Sequence, residues 1–96
     1  MNILVCYDVA TQTPAGARRL RQVAKACEGY GQRVQDSVFE CSLSPTELEL
    51  LRGKLLKIID IAEDSLRIYR MAARREEVVE AYGRDLYRDL KGPLIV

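Results

Sequence analysis

Asp8 is the residue best placed for chemistry, and its appeal lies in what precedes it. Asn2-Ile3-Leu4-Val5-Cys6-Tyr7 runs into that carboxylate as an almost unbroken apolar stretch, and Val9, a polar loop and a helical pattern follow. An acid at the carboxyl end of a buried central strand stands where a sheet usually presents its chemistry. There it either caps a turn through a backbone N–H or ligates a metal, and the residues leave both open. The groups that could meet an anion are mostly arginines, eleven of the fifteen basic residues, with Arg18, Arg19 and Arg21 close together. Arginine favours two-pronged phosphate contacts, although such residues also serve as ion-pairing surface.

No histidine occurs in the chain. That excludes serine and cysteine triads of the usual kind, histidine general-base ribonuclease chemistry and Cys/His zinc sites. Hydrolysis would have to rest on carboxylates, metal-activated water or a tyrosine. Cys6, Cys27 and Cys41 are odd in number, lack C-x-x-C spacing and fall inside predicted elements. They read as reduced core thiols, neither a disulfide frame nor a nucleophile.

The 96 residues, 48% hydrophobic and 30% charged, have the composition of one ordinary soluble domain. Nothing resembles a signal core or a membrane span, so the expected location is the cytoplasm. Net charge is +1 but unevenly spread: +3 over residues 1–35, −4 over 36–66 and +2 over 67–96. A chain this short buries roughly 60 to 65% of its unfolded surface, so dimerisation would help it.

The opening strand points Ile3, Val5 and Tyr7 one way and Leu4 and Cys6 the other, which asks for cover on both faces. Thr13-Pro14 predicts a helix start. Ala17, Leu20, Val23, Ala24, Cys27 and Tyr30 form its apolar stripe, with Arg18, Arg19, Arg21 and Lys25 mainly off it, and Gly31 is the expected left-handed stop. Gln32 to Leu43 reads as one long strand, or two segments bent near Asp36-Ser37. Ser44-Pro45-Thr46-Glu47 is a full capping box and starts a second helix, with Leu48, Leu51, Leu55, Ile58 and Ile59 as its stripe. Ser65 to Met71 alternates as a strand, with Leu66 and Ile68 inward. Residues 72–82 read as a short helix, or as a loop running into a strand at Val78 to Tyr82, and Leu94-Ile95-Val96 is an apolar strand in need of an edge. The pattern implies an α/β sandwich with both helices on one sheet face. The other face, and the closing strand, argue for a homodimer.

Tyr7-Asp8-Val9, then Arg19 and Arg21, then Tyr30 through Cys41 (Tyr-Gly-Gln-Arg-Val-Gln-Asp-Ser-Val-Phe-Glu-Cys), then Ser65-Leu-Arg-Ile-Tyr-Arg form an ordered set. In order and spacing it resembles the CRISPR-associated protein 2 family, the smaller of the two universal spacer-acquisition proteins, from Met1 to about Met71 and more loosely beyond. The resemblance implies a ferredoxin-like βαββαβ fold with an antiparallel sheet, in which Arg33 to Leu43 counts as two strands. It further implies a homodimer with the C-terminal strand swapped onto the partner, so that residues 78–96 pair with the other protomer. It implies a magnesium-dependent endonuclease acting on single-stranded RNA or double-stranded DNA, with Asp8 as catalytic residue and metal ligand, in complex with the CRISPR integrase. Tyr7, Arg19, Arg21, Arg33 and Phe39 match positions linked in the family to activity or nucleic-acid contact; Arg18 is added on charge alone.

The chemistry of the residues agrees with part of this. Magnesium keeps several waters and commonly uses one or two carboxylates, and a dimer could bring two copies of Asp8 together around one ion. The arginines could hold phosphates while Tyr7 or Phe39 stacks on bases, though Phe39 reads equally as core. Three functions are compatible with the residues. One is the metal-dependent nuclease, the second a non-catalytic dimeric adaptor clamping duplex DNA for the integrase, and the third a toxin-like messenger-RNA interferase on a similar fold.

Overall fold

In the computed structural model, which describes residues 1–84 and Tyr87, the elements run β1 (Asn2–Asp8), α1 (Pro14–Glu28), β2 (Gly31–Gln35), β3 (Val38–Ser42), α2 (Pro45–Ile58), β4 (Ser65–Met71) and α3 (Arg75–Val78). The four strands form one antiparallel sheet in the order β2-β3-β1-β4. That is the βαββα β order expected of a ferredoxin-like sandwich, with the opening strand in the interior of the sheet.

Both main helices start where the residues said they would. Thr13 accepts from the Gly16 N–H at 3.1 Å, and Ser44 and Glu47 exchange reciprocal side-chain-to-backbone bonds at 3.1 and 3.0 Å. Each helix has proline in its first turn, where no N–H is missed. Their stripes meet the odd-numbered face of β1. Ile3, Val5 and Tyr7 are buried there with Val23, Cys27, Phe39, Cys41, Leu48, Leu51 and Leu55. Each fully buried aliphatic side chain in such a layer contributes roughly 1.5 to 3 kcal/mol.

The segment 31–42 is two strands. Gln35 pairs with Val38 across a two-residue link at Asp36-Ser37, and a bulge at Val34 shifts the register. Gly31 is not the helix stop. The last turn of α1 closes through Gly29 and Tyr30 N–H bonds to the Ala26 and Cys27 carbonyls, at 3.2 and 2.9 Å, with Gly29 in right-handed conformation. Gly31 instead lies in β2, and a Cβ there would strike the Cys41 sulfur and the Glu40 carbonyl of β3. Glycine is required by close approach, not by φ.

Among the described residues neither α1 nor α2 covers the even-numbered face of β1, where only the short α3 reaches in through Arg75 to Glu40. Leu4 and Cys6 are half-buried, and register sets Val38 and Glu40 of β3 and Arg67 and Tyr69 of β4 beside them. After β4 the chain makes the short α3, and Val79 to Tyr82 form no strand. The expected strand at Leu94-Ile95-Val96 lies outside the described residues. Among the described residues no helix is long and apolar enough to cross a membrane.

Candidate metal and nucleic-acid site

β1 delivers Asp8 to the end of the sheet, paired with Ser65 of β4. Its side chain belongs to the even-numbered face, and the residue is exposed. Among the described residues no cation pairs with it, and no group of three ligating side chains surrounds it. The donor chemistry fits a hard divalent cation that keeps most of its waters, with Asp8 as one ligand.

The residue before it points the other way. Tyr7 is buried, its ring stacked on Phe39 with centroids 6.3 Å apart, and its hydroxyl donates to the Asp36 carbonyl at 3.4 Å. Burial pushes the phenol pKa up. With its backbone N–H on the Ser37 carbonyl at 3.1 Å, Tyr7 pins the β2–β3 link to β1. Phe39 is wholly buried, and the Arg33 guanidinium lies 5.2 Å from its ring centre. Neither ring offers a face to a base in this chain. Both belong to the core, the bland alternative for Phe39. Arg33 itself is exposed and pairs with Glu28 at 3.4 Å, a contact worth little at the surface.

The three arginines of α1 divide sharply. Arg18 and Arg21, three residues apart and so on one helix face, are exposed, and among the described residues neither makes an ion pair. Arg19 is turned by about 100° from Arg18. Its Nε and Nη2 donate to the two oxygens of Asp64 at 2.8 and 3.2 Å. Asp64 is wholly buried in side chain, whereas Arg19 keeps 19% exposure. Two backbone donors complete the carboxylate's shell, Ala10 N–H at 3.1 Å and Asp60 N–H at 2.8 Å. Arg19 first, then the Asp60 and Ala10 N–H groups, outweigh burial and hold the Asp64 carboxyl below the usual carboxylate range.

Asp64 and Gly16 lie outside the residues that the sequence marks as candidates, yet both shape the Asp8 end of the sheet. Gly16 is buried, and a Cβ there would collide with the Ala10 carbonyl. An isolated glycine inside a helical stripe was the available signal. For Asp64 the only sign was a carboxylate just ahead of a strand, which many turns share.

Residues 1–78 match the family model described as CRISPR associated protein Cas2. The chain is 52% identical to the "CRISPR-associated endoribonuclease Cas2" of Chlorobaculum tepidum, with all of both chains covered. It is 50% identical to the "CRISPR-associated endonuclease Cas2" of Halalkalibacterium halodurans over 99% of each. The crystal structure of Streptococcus pyogenes Cas2 at pH 6.5 is similar with a TM-score of 0.77 and 52% identity, covering 86% of this chain and 100% of that one.

Proposed function

The chain belongs to the CRISPR-associated Cas2 family, and from that premise we propose that it is a homodimeric, magnesium-dependent endonuclease of CRISPR adaptation that acts with the integrase. The observation that carries this reading is Asp8, exposed at the end of β1 and, among the described residues, in no ion pair, in a chain whose relatives are named endonucleases and endoribonucleases. Its carboxylate supplies oxygen ligands to the ion. When bound, magnesium polarises a phosphoryl oxygen and activates water, chemistry that needs no histidine.

A second copy supports the site in two ways. It covers the open sheet face, where Leu4 and Cys6 are half-buried and Tyr69 is exposed, and it brings a second Asp8 toward the first. Arg18 and Arg21 hold backbone phosphates and set the register of the nucleic acid without reading its sequence. The segment 78–96 joins the partner protomer and presents a surface to the integrase.

The test uses purified wild type and Asp8→Asn, both checked for dimerisation, with labelled duplex DNA and single-stranded RNA in magnesium or chelator. Cleavage by wild type alone, abolished by chelator, is the expected result and identifies the substrate. Equal duplex binding by both proteins with no cleavage by either replaces the nuclease with the DNA-clamping adaptor.

A further inference from the structure

We propose that Arg19 is a positioning residue and not a phosphate ligand: through the buried Asp64 carboxylate it fixes the Ala10 backbone, and with it the direction of the Asp8 side chain. This deepens the reading above and rests on Asp8 as the metal ligand.

The geometry argues it in three steps. A carboxylate offers about four acceptor positions, and Asp64 fills them with Arg19 Nε and Nη2, Ala10 N–H and Asp60 N–H. Nothing of Asp64 remains to recruit a ligand, and a phosphate drawing Arg19 away would strand a charge whose side chain has 0% exposure. Next, Asp64 adjoins Ser65, the register partner of Asp8, while its bond to Ala10 lies two residues beyond Asp8. One side chain thus holds both strands at the point where Asp8 emerges. Finally, Gly16 closes the far side of the same loop, its Cα packed so near the Ala10 carbonyl that no Cβ fits. Ala10 is hydrogen-bonded through its N–H to Asp64 on one side and packed through its carbonyl against Gly16 on the other, which restricts the loop after Asp8. Outer groups of this kind orient a metal ligand without touching the metal.

Arg18 and Arg21, exposed on the same helix, are the internal control. The experiment measures duplex-DNA affinity against salt, and magnesium binding by calorimetry, for wild type, Arg21→Ala, Arg19→Ala and Arg19→Lys. Loss of a phosphate contact lowers the salt slope by about 1. Arg21→Ala should do so with magnesium binding unchanged. Arg19→Ala should keep the wild-type slope and weaken magnesium about tenfold, in the range that outer-shell changes give. Arg19→Lys retains the cation but cannot grip two oxygens, so it too should weaken magnesium at an unchanged slope, and it serves if the alanine variant does not fold. A slope lowered by about 1 in Arg19→Ala with wild-type magnesium binding overturns the proposal. If wild type binds no magnesium, the metal reading fails by itself. Hydrogen exchange at the Ala10 amide then decides the inference, which holds if Arg19→Lys speeds it at an unchanged salt slope and falls if the amide is as protected as in wild type.

Discussion

Arg19 meets Asp64 at 2.8 and 3.2 Å, and Arg75 meets Glu40 at 2.9 and 3.2 Å. The two forks are nearly superimposable in their lengths, and their arginines are 19% and 21% exposed. Their surroundings differ. Asp64 also accepts two backbone N–H groups and ties a loop to a turn inside the described fold. Glu40, on the sheet face opposite α1 and α2, ties α3 across to β3, and the Tyr87 ring covers the Arg75 guanidinium at 3.6 Å. The first pair locks geometry at the Asp8 end, while the second anchors the start of the C-terminal segment. An ion pair's length therefore says little about its role; what else the carboxylate holds says more.

Gly16→Ala should break the first region most severely. Its Cβ meets backbone, which cannot swing aside, so thermal unfolding should fall by roughly 10 °C or more, as overpacking of a few kcal/mol does in a domain this size. A shift below 2 °C would show that α1 is not seated on Ala10.

Asp64→Asn should lose nearly as much stability at neutral pH, and it adds a sign. The native Asp64 pKa is lowered, so its contribution is complete above the ordinary carboxylate value of about 4 and is lost as pH falls through the lowered native value. Melting of wild type and variant from pH 7 to pH 3 should show their difference shrinking below about pH 4. A difference that grows with acid would contradict the ion pair.

Glu40→Gln should separate the two regions. A loss of roughly 5 °C is expected from one weakened charged hydrogen-bond pair, while magnesium binding and the Asp8 end remain as in wild type. The diagnostic is proteolysis, with faster cleavage after Met71 and unchanged protection of residues 9–16.

Thiol alkylation should give the smallest effect on the fold and a reading of the open face. Burial raises the Cys27 and Cys41 pKa values to about 12 and about 11, so both should resist labelling at pH 8. Cys6, also raised by burial but only half-buried on the open face, should label first in a monomer. Protection of Cys6 at high protein concentration would place a second copy over it.

Much of the fold was legible beforehand because its signals are local. The Ser44–Glu47 box, Thr13-Pro14 and the leucine stripe of α2 act within a few residues, and all three hold. The residues alone do not divide 31–42 into two strands, since the two polar residues at Asp36-Ser37 fit a bend or a turn equally, and pairing of Gln35 with Val38 decides it. Gly31 misled because a glycine after a helix usually marks a left-handed stop, whereas here it answers to a strand ten residues away.

The sequence by itself determined where the two main helices start, the central strand with Asp8 at its end, the thiol character of the cysteines and the exclusion of histidine chemistry, all of which depend on residue type and near-neighbour spacing. Tertiary structure alone decided which of the α1 arginines pairs with a carboxylate among the described residues. Arg18, Arg19 and Arg21 are indistinguishable as letters, yet a carboxylate 45 residues away captures the middle one. The same folding buried Tyr7 and Phe39 against each other, because a partner distant along the chain carries no periodicity to announce it, and only closure of the sheet brings it into contact.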